Sequence, residues 1–253
     1  MFSFDNQFVD ERYFSSDSLQ KGRTTKKIFK ELSEEMLEMA VMHGRQHRDM
    51  CKYIDYPFWY SEEKIGWMLP AYFYKRGYLV WSEWTEKNTS KRNQKNSSRK
   101  IDFMFEKKWG QACVELFIEV KKIYSSLDGE ALNDTRSLTV RSKKSENGLL
   151  NQLYNMKEIT PNYCDHKILM GLLIVDSGIS PRRYEHYKKI FDSTRMEKRS
   201  KELMDEVAAL LDRRRNLHLI GRHASVNWDD GDTDEFDYIP KMISIVGIFC
   251  DPG

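Results

Sequence analysis

The hydrophobic period of this chain changes at Gly77. Before it, apolar residues recur at three- and four-residue steps; after it they alternate every second residue, and helical spacing resumes near residue 196. A chain that switches period in this way must lay helices on a sheet, because neither kind of element can bury its apolar face alone. In the first helical region, 25–50, Ile28, Leu32, Met36, Met39 and Ala40 recur among Lys, Glu and Arg. A second helix is expected from Ser61 to Gly77, with Ser61 as N-cap and Glu62 and Glu63 in the first turn, where carboxylates suit the dipole. Its stripe is Ile65, Met68, Leu69, Tyr72 and Phe73, and Pro70 predicts a kink or an early break.

Beyond Gly77, the segments 78–84, 101–105 and 114–121 read as strands. A helix over 148–157 and an apolar strand over 168–175 follow. Ser180 and Pro181 then open a helix, helical periodicity runs over 196–215, and 217–220 and 242–249 are further strands. The expected fold is an α/β or α+β sheet flanked by helices, with residues 1–55 as an N-terminal helical extension and 56–253 as the sheet domain.

Charge narrows the function only by where it sits. The 41 Lys and Arg against 39 Asp and Glu leave +2, which excludes a histone-like polycation. The longest apolar runs, 168–175 and 242–250, are strand-sized, against the roughly 20 residues of a spanning helix, so no membrane role is expected. Asp5, Asp10, Glu11 and Arg12 interrupt the first residues, where a signal peptide would be apolar. Cys51, Cys113, Cys164 and Cys250 are scattered without a CxxC pair, which suits reduced thiols and a cytoplasmic protein.

The chemistry concentrates between residues 101 and 121. The strand period of two sends Ile101, Phe103 and Phe105 to one face and Asp102 to the other. The same arithmetic puts Leu116, Ile118 and Val120 in one layer and Glu119 with Lys121 on the opposite face. A turn around 107–111 allows a hairpin, which would bring two carboxylates and one amine together. Such a group suits phosphodiester cleavage. Hard divalent cations take one or two carboxylates with waters and substrate phosphate, and a neighbouring lysine can orient the attacking water and stabilise developing charge.

These residues resemble the PD-(D/E)xK nuclease superfamily. The matching pieces are Arg99-Lys100-Ile101-Asp102-Phe103 and Phe117-Ile118-Glu119-Val120-Lys121, within a match over residues 60–176. The resemblance implies a restriction-endonuclease-like mixed sheet flanked by helices. It also implies that Asp102 and Glu119 bind Mg²⁺ or Mn²⁺, that the Val120 carbonyl adds a ligand, and that Lys121 is the catalytic lysine. The preceding helix often supplies another acid in this family, here Glu62, and the helix after the third strand a polar residue, here Gln152. The chain departs from the pattern at Ile101, where proline often stands, and at Met156, which breaks the QxxxY motif of one exonuclease branch. The expected activity is that of a metal-dependent DNA endonuclease of restriction or defence type, with a homodimer left open. An RNA endonuclease and a noncatalytic nucleic-acid- or protein-binding module on the same fold are the alternatives. An acid-x-Lys triplet alone is common, and Glu106-Lys107-Lys108 is another; strand context distinguishes Glu119-Val120-Lys121.

Other features have bland readings beside functional ones. The stretch 87–100 carries Lys87, Lys91, Arg92, Lys95, Arg99 and Lys100 and no acid, and a second basic segment holds Arg136, Arg141, Lys143 and Lys144. Both could contact phosphates or simply be solvated. The acidic run 229–237 lacks the glycine of a calcium loop and reads as a solvated loop. His43, His47 and Cys51 share a helix face, but Gly44 stands where a zincin motif needs Glu, so a structural role is favoured. Trp81 and Trp84 are read as packing residues, with base stacking the lesser reading.

Overall fold

The computed structural model describes residues 2–13, 18–52, 55–59, 65–87, 98–109, 111–127, 166–179, 193–211, 217–228 and 239–250. They form an α/β structure around a seven-stranded mixed sheet. In chain order the elements are β1 (Phe2–Tyr13), α1 (Ser18–Cys51), a 3-10 turn (Pro57–Trp59), α2 (Met68–Lys75), β2 (Leu79–Lys87), β3 (Ser98–Trp109), β4 (Ala112–Ser126), β5 (His166–Ile179), α3 (Ser193–Leu211), β6 (Leu217–Trp228) and β7 (Ile239–Cys250). Across the sheet the order is β1-β6-β7-β5-β4-β3-β2. Only β4 and β5 run parallel; every other neighbouring pair is antiparallel.

Strand β5 lies at the centre of the sheet, and its sequence shows why. Met170, Leu172 and Ile174 enter one apolar cluster while Leu169, Leu173 and Val175 enter the other. A strand buried on both faces reads as a continuous apolar run rather than an alternation. The first cluster lies between the sheet and α1, α2 and the 55–59 segment; the second is completed by Leu203, Met204 and Val207 of α3.

Helix α1 is fastened by packing and by a buried cation. Phe29, Leu32, Met36 and Ala40 are fully buried in the first cluster. Arg222 of β6 donates from Nε to Ser33 Oγ at 2.8 Å and from Nη2 to the Lys30 carbonyl at 3.0 Å. Phe29 itself lies over Gly247 of β7, where a built Cβ would stand 2.6 Å from the ring. The ring also meets Phe249 edge to face, so it has little room to move. Gly247→Ala is therefore expected to cost about 1–3 kcal/mol through overpacking, read as a lower denaturation midpoint.

Helix α2 puts Pro70 in its first turn, where the missing N–H would have no helical partner anyway. The helix is preceded by a turn at 66–67, so the effect of Pro70 is the early break. Gly77 ends it at φ +74°, a left-handed conformation that suits glycine. There the Gly77 N–H donates to the Tyr74 carbonyl at 2.9 Å and the Tyr78 N–H to the Phe73 carbonyl at 3.1 Å. Phe73 stacks on Phe105 with centroids 4.0 Å apart, which binds α2 to β3.

The strands run longer than the sequence periods suggest, and β1 is not anticipated at all. The segment read as a helical extension thus also supplies a strand, paired with β6 from Phe2 against Trp228 to Tyr13 against His218. Ile101 is a second departure: it joins Met104 in the α3-side cluster, while Phe103 and Phe105 face α1 and α2. Cys113 is disulfide-bonded, unlike the reduced thiol expected there, whereas Cys51 is a free and exposed thiol. The helices read at 148–157 and from Ser180, and the acidic run 229–237, lie outside the described residues. No helix of the described residues is long and apolar enough to cross a membrane.

Candidate active site

The β3–β4 hairpin forms as its sequence requires. Its ladder runs from Trp109 against Ala112 to Phe103 against Ile118. One row further, Asp102 stands opposite Glu119 by the same register. There the pairing changes character: the Val120 N–H donates to Asp102 Oδ2 at 2.8 Å, a side chain taking the bond a backbone carbonyl would otherwise receive. This bond also explains Ile101, since a side chain inserted into the ladder is where strict alternation ends.

On β4 the alternation holds. Leu116, Ile118 and Val120 enter the α1-side cluster, and Phe117 and Ile123 enter the other, so Glu119 and Lys121 lie between them on the α3-side face. Their side chains meet there, with Lys121 Nζ 3.6 Å from Glu119 Oε1. Glu119 is 2% exposed. Its parallel partner on β5 is Gly171, which presents no side chain against it.

Burial, and after it the charge of Asp102, push the Glu119 carboxyl up to about 7. Lys121 and the Asp102 backbone N–H pull the other way, by charge and by hydrogen bonding, without restoring the ordinary value. Two carboxylates thus crowd a site whose one described ammonium contact does not balance them. Lys122 alternates to the opposite face. Burial lowers its pKa while Asp176 supports its charge, and the same Asp176 helps burial hold the Tyr56 phenol well above its usual range. This second polar group, on Lys122, Asp176 and Tyr56, carries no sequence motif.

A hard divalent cation fits the first group. The Asp102 and Glu119 charges repel one another in a nearly dry place, and a cation between them would relieve that repulsion. Among the described residues no three His, Cys, Asp or Glu side chains gather as a metal-ligand set. Two carboxylates with the remaining positions left to a carbonyl, water and phosphate suit Mg²⁺ or Mn²⁺ better than zinc.

Asp102, Glu119, Val120 and Lys121 are thus brought together. Glu62, Gln152, Lys91, Arg92, Lys95, Arg141 and Lys143 lie outside the described residues, and for Arg99 and Lys100 only the β3 backbone is described. Ile65, Met68, Leu69, Tyr72 and Phe73, the stripe expected for the helix, lie in the α1-side cluster, on the face opposite Glu119. His43 Nε2 lies 2.7 Å from Asp55 Oδ2. Trp81, read as a packing residue, is substantially exposed on the edge strand β2. Comparison with protein-family models, with curated proteins and with solved structures finds no match to this chain.

Proposed function

We propose that the chain is a metal-dependent nuclease of restriction-endonuclease-like fold that hydrolyses phosphodiester bonds in DNA as an endonuclease. The observation that carries this reading is the meeting of Asp102, Glu119 and Lys121 on adjacent rows of the β3–β4 hairpin, with Val120 N–H on Asp102 and the Lys121 ammonium 3.6 Å from Glu119. The succession of α2, β2, β3, β4 and a returning strand β5 supports it, being the helix and strand order the sequence resemblance calls for.

In this reading Asp102, Glu119 and the Val120 carbonyl hold Mg²⁺ or Mn²⁺, which when bound supplies positive charge against the phosphate. Glu119 must give up its proton for that role, and Lys121 helps it to do so. The Lys121 ammonium orients the attacking water and stabilises charge gathering on the phosphate oxygens. The basic residues of the β2–β3 connection grip the backbone, which makes binding salt-dependent.

Incubation of the purified protein with plasmid DNA in Mg²⁺, in Mn²⁺ and in EDTA, beside a labelled RNA, tests the proposal. Nicking or linearisation with either metal and none in EDTA is expected. Salt-sensitive binding without cleavage in any metal would instead mark a noncatalytic module, and cleavage confined to RNA would mark an RNA endonuclease.

A further inference from the structure

Helix α1 carries His43, His47 and Cys51 at four-residue steps, so they share one face of its last turns. The helix ends where Lys52 enters the left-handed region at φ +70°, with its N–H donating to the Arg48 carbonyl at 2.9 Å. By Asp55 the chain has come back to the helix, and Asp55 Oδ2 stands 2.7 Å from His43 Nε2. Tyr56 and Phe58, just beyond, are fully buried in the α1-side cluster, which holds Asp55 in place.

His43 and His47 are neighbours across one helical turn, with ring centroids 6.1 Å apart. A zinc-bound imidazole nitrogen lies about 2.0–2.1 Å from the ion, which puts the ion roughly 3.2 Å from the ring centroid. Two rings sharing one ion can therefore stand up to about 6.4 Å apart, and these two fall inside that limit. A hydrogen bond from the other ring nitrogen to a carboxylate is the usual outer support of a metal-bound histidine, because it fixes the ring and its tautomer and makes the ligating nitrogen more basic. Asp55 gives His43 that support: a proton on Nε2 directed at Asp55 leaves the lone pair on Nδ1. Trp67 packs against the same ring at 6.0 Å between centroids. The Asp55 carboxylate is nearly buried while the His43 side chain is 36% exposed, so an ion can reach the ring from solvent. A tether between α1 and the 55–59 segment would need only His43 and Asp55. The second imidazole one turn on adds a chelate, the i, i+4 spacing by which helical histidines bind zinc.

We propose that His43 and His47 bind a borderline transition ion such as Zn²⁺, with Asp55 supporting His43 from behind. Imidazole nitrogens suit Zn²⁺, Cu²⁺ and Ni²⁺, whereas Mg²⁺ takes oxygen ligands. Among the described residues no set of three His, Cys, Asp or Glu ligands forms, so water completes the coordination and the ion is exchangeable, unlike a closed structural zinc. Helix α1 and the 55–59 segment cover the face of the sheet opposite Glu119, so this site is separate from the carboxylate pair and does not depend on the nuclease reading.

Zn²⁺ uptake by the untagged full-length protein, stripped with EDTA and exchanged into buffer with excess Mg²⁺, is measured by competition with a chromogenic zinc indicator. Wild type should take up one equivalent that Mg²⁺ does not displace, and Glu119→Gln should take up the same. His47→Ala should lose it. Asp55→Asn, which keeps an acceptor toward Nε2, should weaken it about tenfold, the low end for loss of an outer carboxylate. Cys51→Ser should match wild type. With Cu²⁺ as the probe, electron paramagnetic resonance should show coupling to two ring nitrogens in wild type and to one in His47→Ala, a signature that purely structural histidines do not give. Circular dichroism checks that each variant is folded. Zinc uptake unchanged by His47→Ala, or lost in Glu119→Gln or in Cys51→Ser, overturns the imidazole site, as does absence of uptake by the wild type.

Discussion

Lys121→Ala should lower the rate of DNA cleavage at saturating Mg²⁺ by about a hundred- to a thousandfold, the usual loss when one group stabilising transition-state charge is removed. The fold should survive, because Lys121 is partly exposed and its described charge contact is Glu119, on its own strand. The substitution also acts on Glu119. Lys121 is one of the groups that hold the Glu119 carboxyl down, so without it the proton is kept to higher pH and metal must compete with it. The metal requirement at neutral pH should therefore rise, and part of the lost rate should return as pH is raised. Glu119→Gln removes the negative ligand altogether, and its loss should persist at every pH and metal concentration. Metal titrations of cleavage rate at two pH values separate the variants. A Lys121→Ala protein that cuts at wild-type rate would remove Lys121 from the mechanism.

The legible part of this site was the part set by local geometry. A strand period of two is enough to put Glu119 and Lys121 on one face and Leu116, Ile118 and Val120 on the other, and the structure keeps that division. Ile101 escaped the same arithmetic because the Asp102 carboxylate enters the ladder at Val120, and nothing in an apolar pattern announces a side chain that replaces a carbonyl. Strand β1 was hidden for a related reason. Among the described side chains of Phe2–Tyr13, Phe4 is buried in the core and Val9 packs against the same cluster, while Asp5, Asn6, Gln7 and Asp10 give the segment a polar look. An edge strand with one neighbour needs few apolar residues, and charges along it discourage pairing with another chain.

Trp81 and His223 show a second limit. Whether an aromatic residue is core or surface depends on which strand ends the sheet, a property of topology that composition does not carry. His223 lies among polar neighbours in sequence, yet it is fully buried on β6, with Nδ1 2.8 Å from Ser244 Oγ on β7. That placement follows from the β6–β7 register, which pairs the two residues across distant parts of the chain.

His223 and Glu119 together give the second large effect, a pair of opposite pH dependences. Burial pushes the His223 imidazole down to about 4 from an ordinary 6.5, against the pull of Asp10. The unfolded chain therefore binds a proton that the folded protein refuses, and stability is lost as pH falls from 6.5 toward 4. Glu119 has the reverse sign. Its folded value of about 7 lies above the ordinary 4.5, so the folded protein holds a proton that the unfolded chain has released, and stability is lost as pH rises from 4.5 to 7. Each shift corresponds to about 3 kcal/mol, so between pH 4.5 and 6.5 the two slopes should nearly cancel. Removing either group should expose the other. Glu119→Gln should become more stable as pH rises to 6.5, and above pH 7 should exceed wild type by about 1–3 kcal/mol. His223→Asn, which keeps a polar atom toward Ser244, should lose stability steadily from pH 4.5 to 7. Mg²⁺ should stabilise the wild type at pH 8, where Glu119 is ionised, and have little effect on Glu119→Gln. Urea denaturation across this pH range measures all three proteins, and differences between variant and wild type cancel the contribution of every group they share. Parallel curves for wild type and Glu119→Gln would mean that Glu119 is not the strained carboxyl its surroundings imply, and the case for a cation beside it would lose its electrostatic basis.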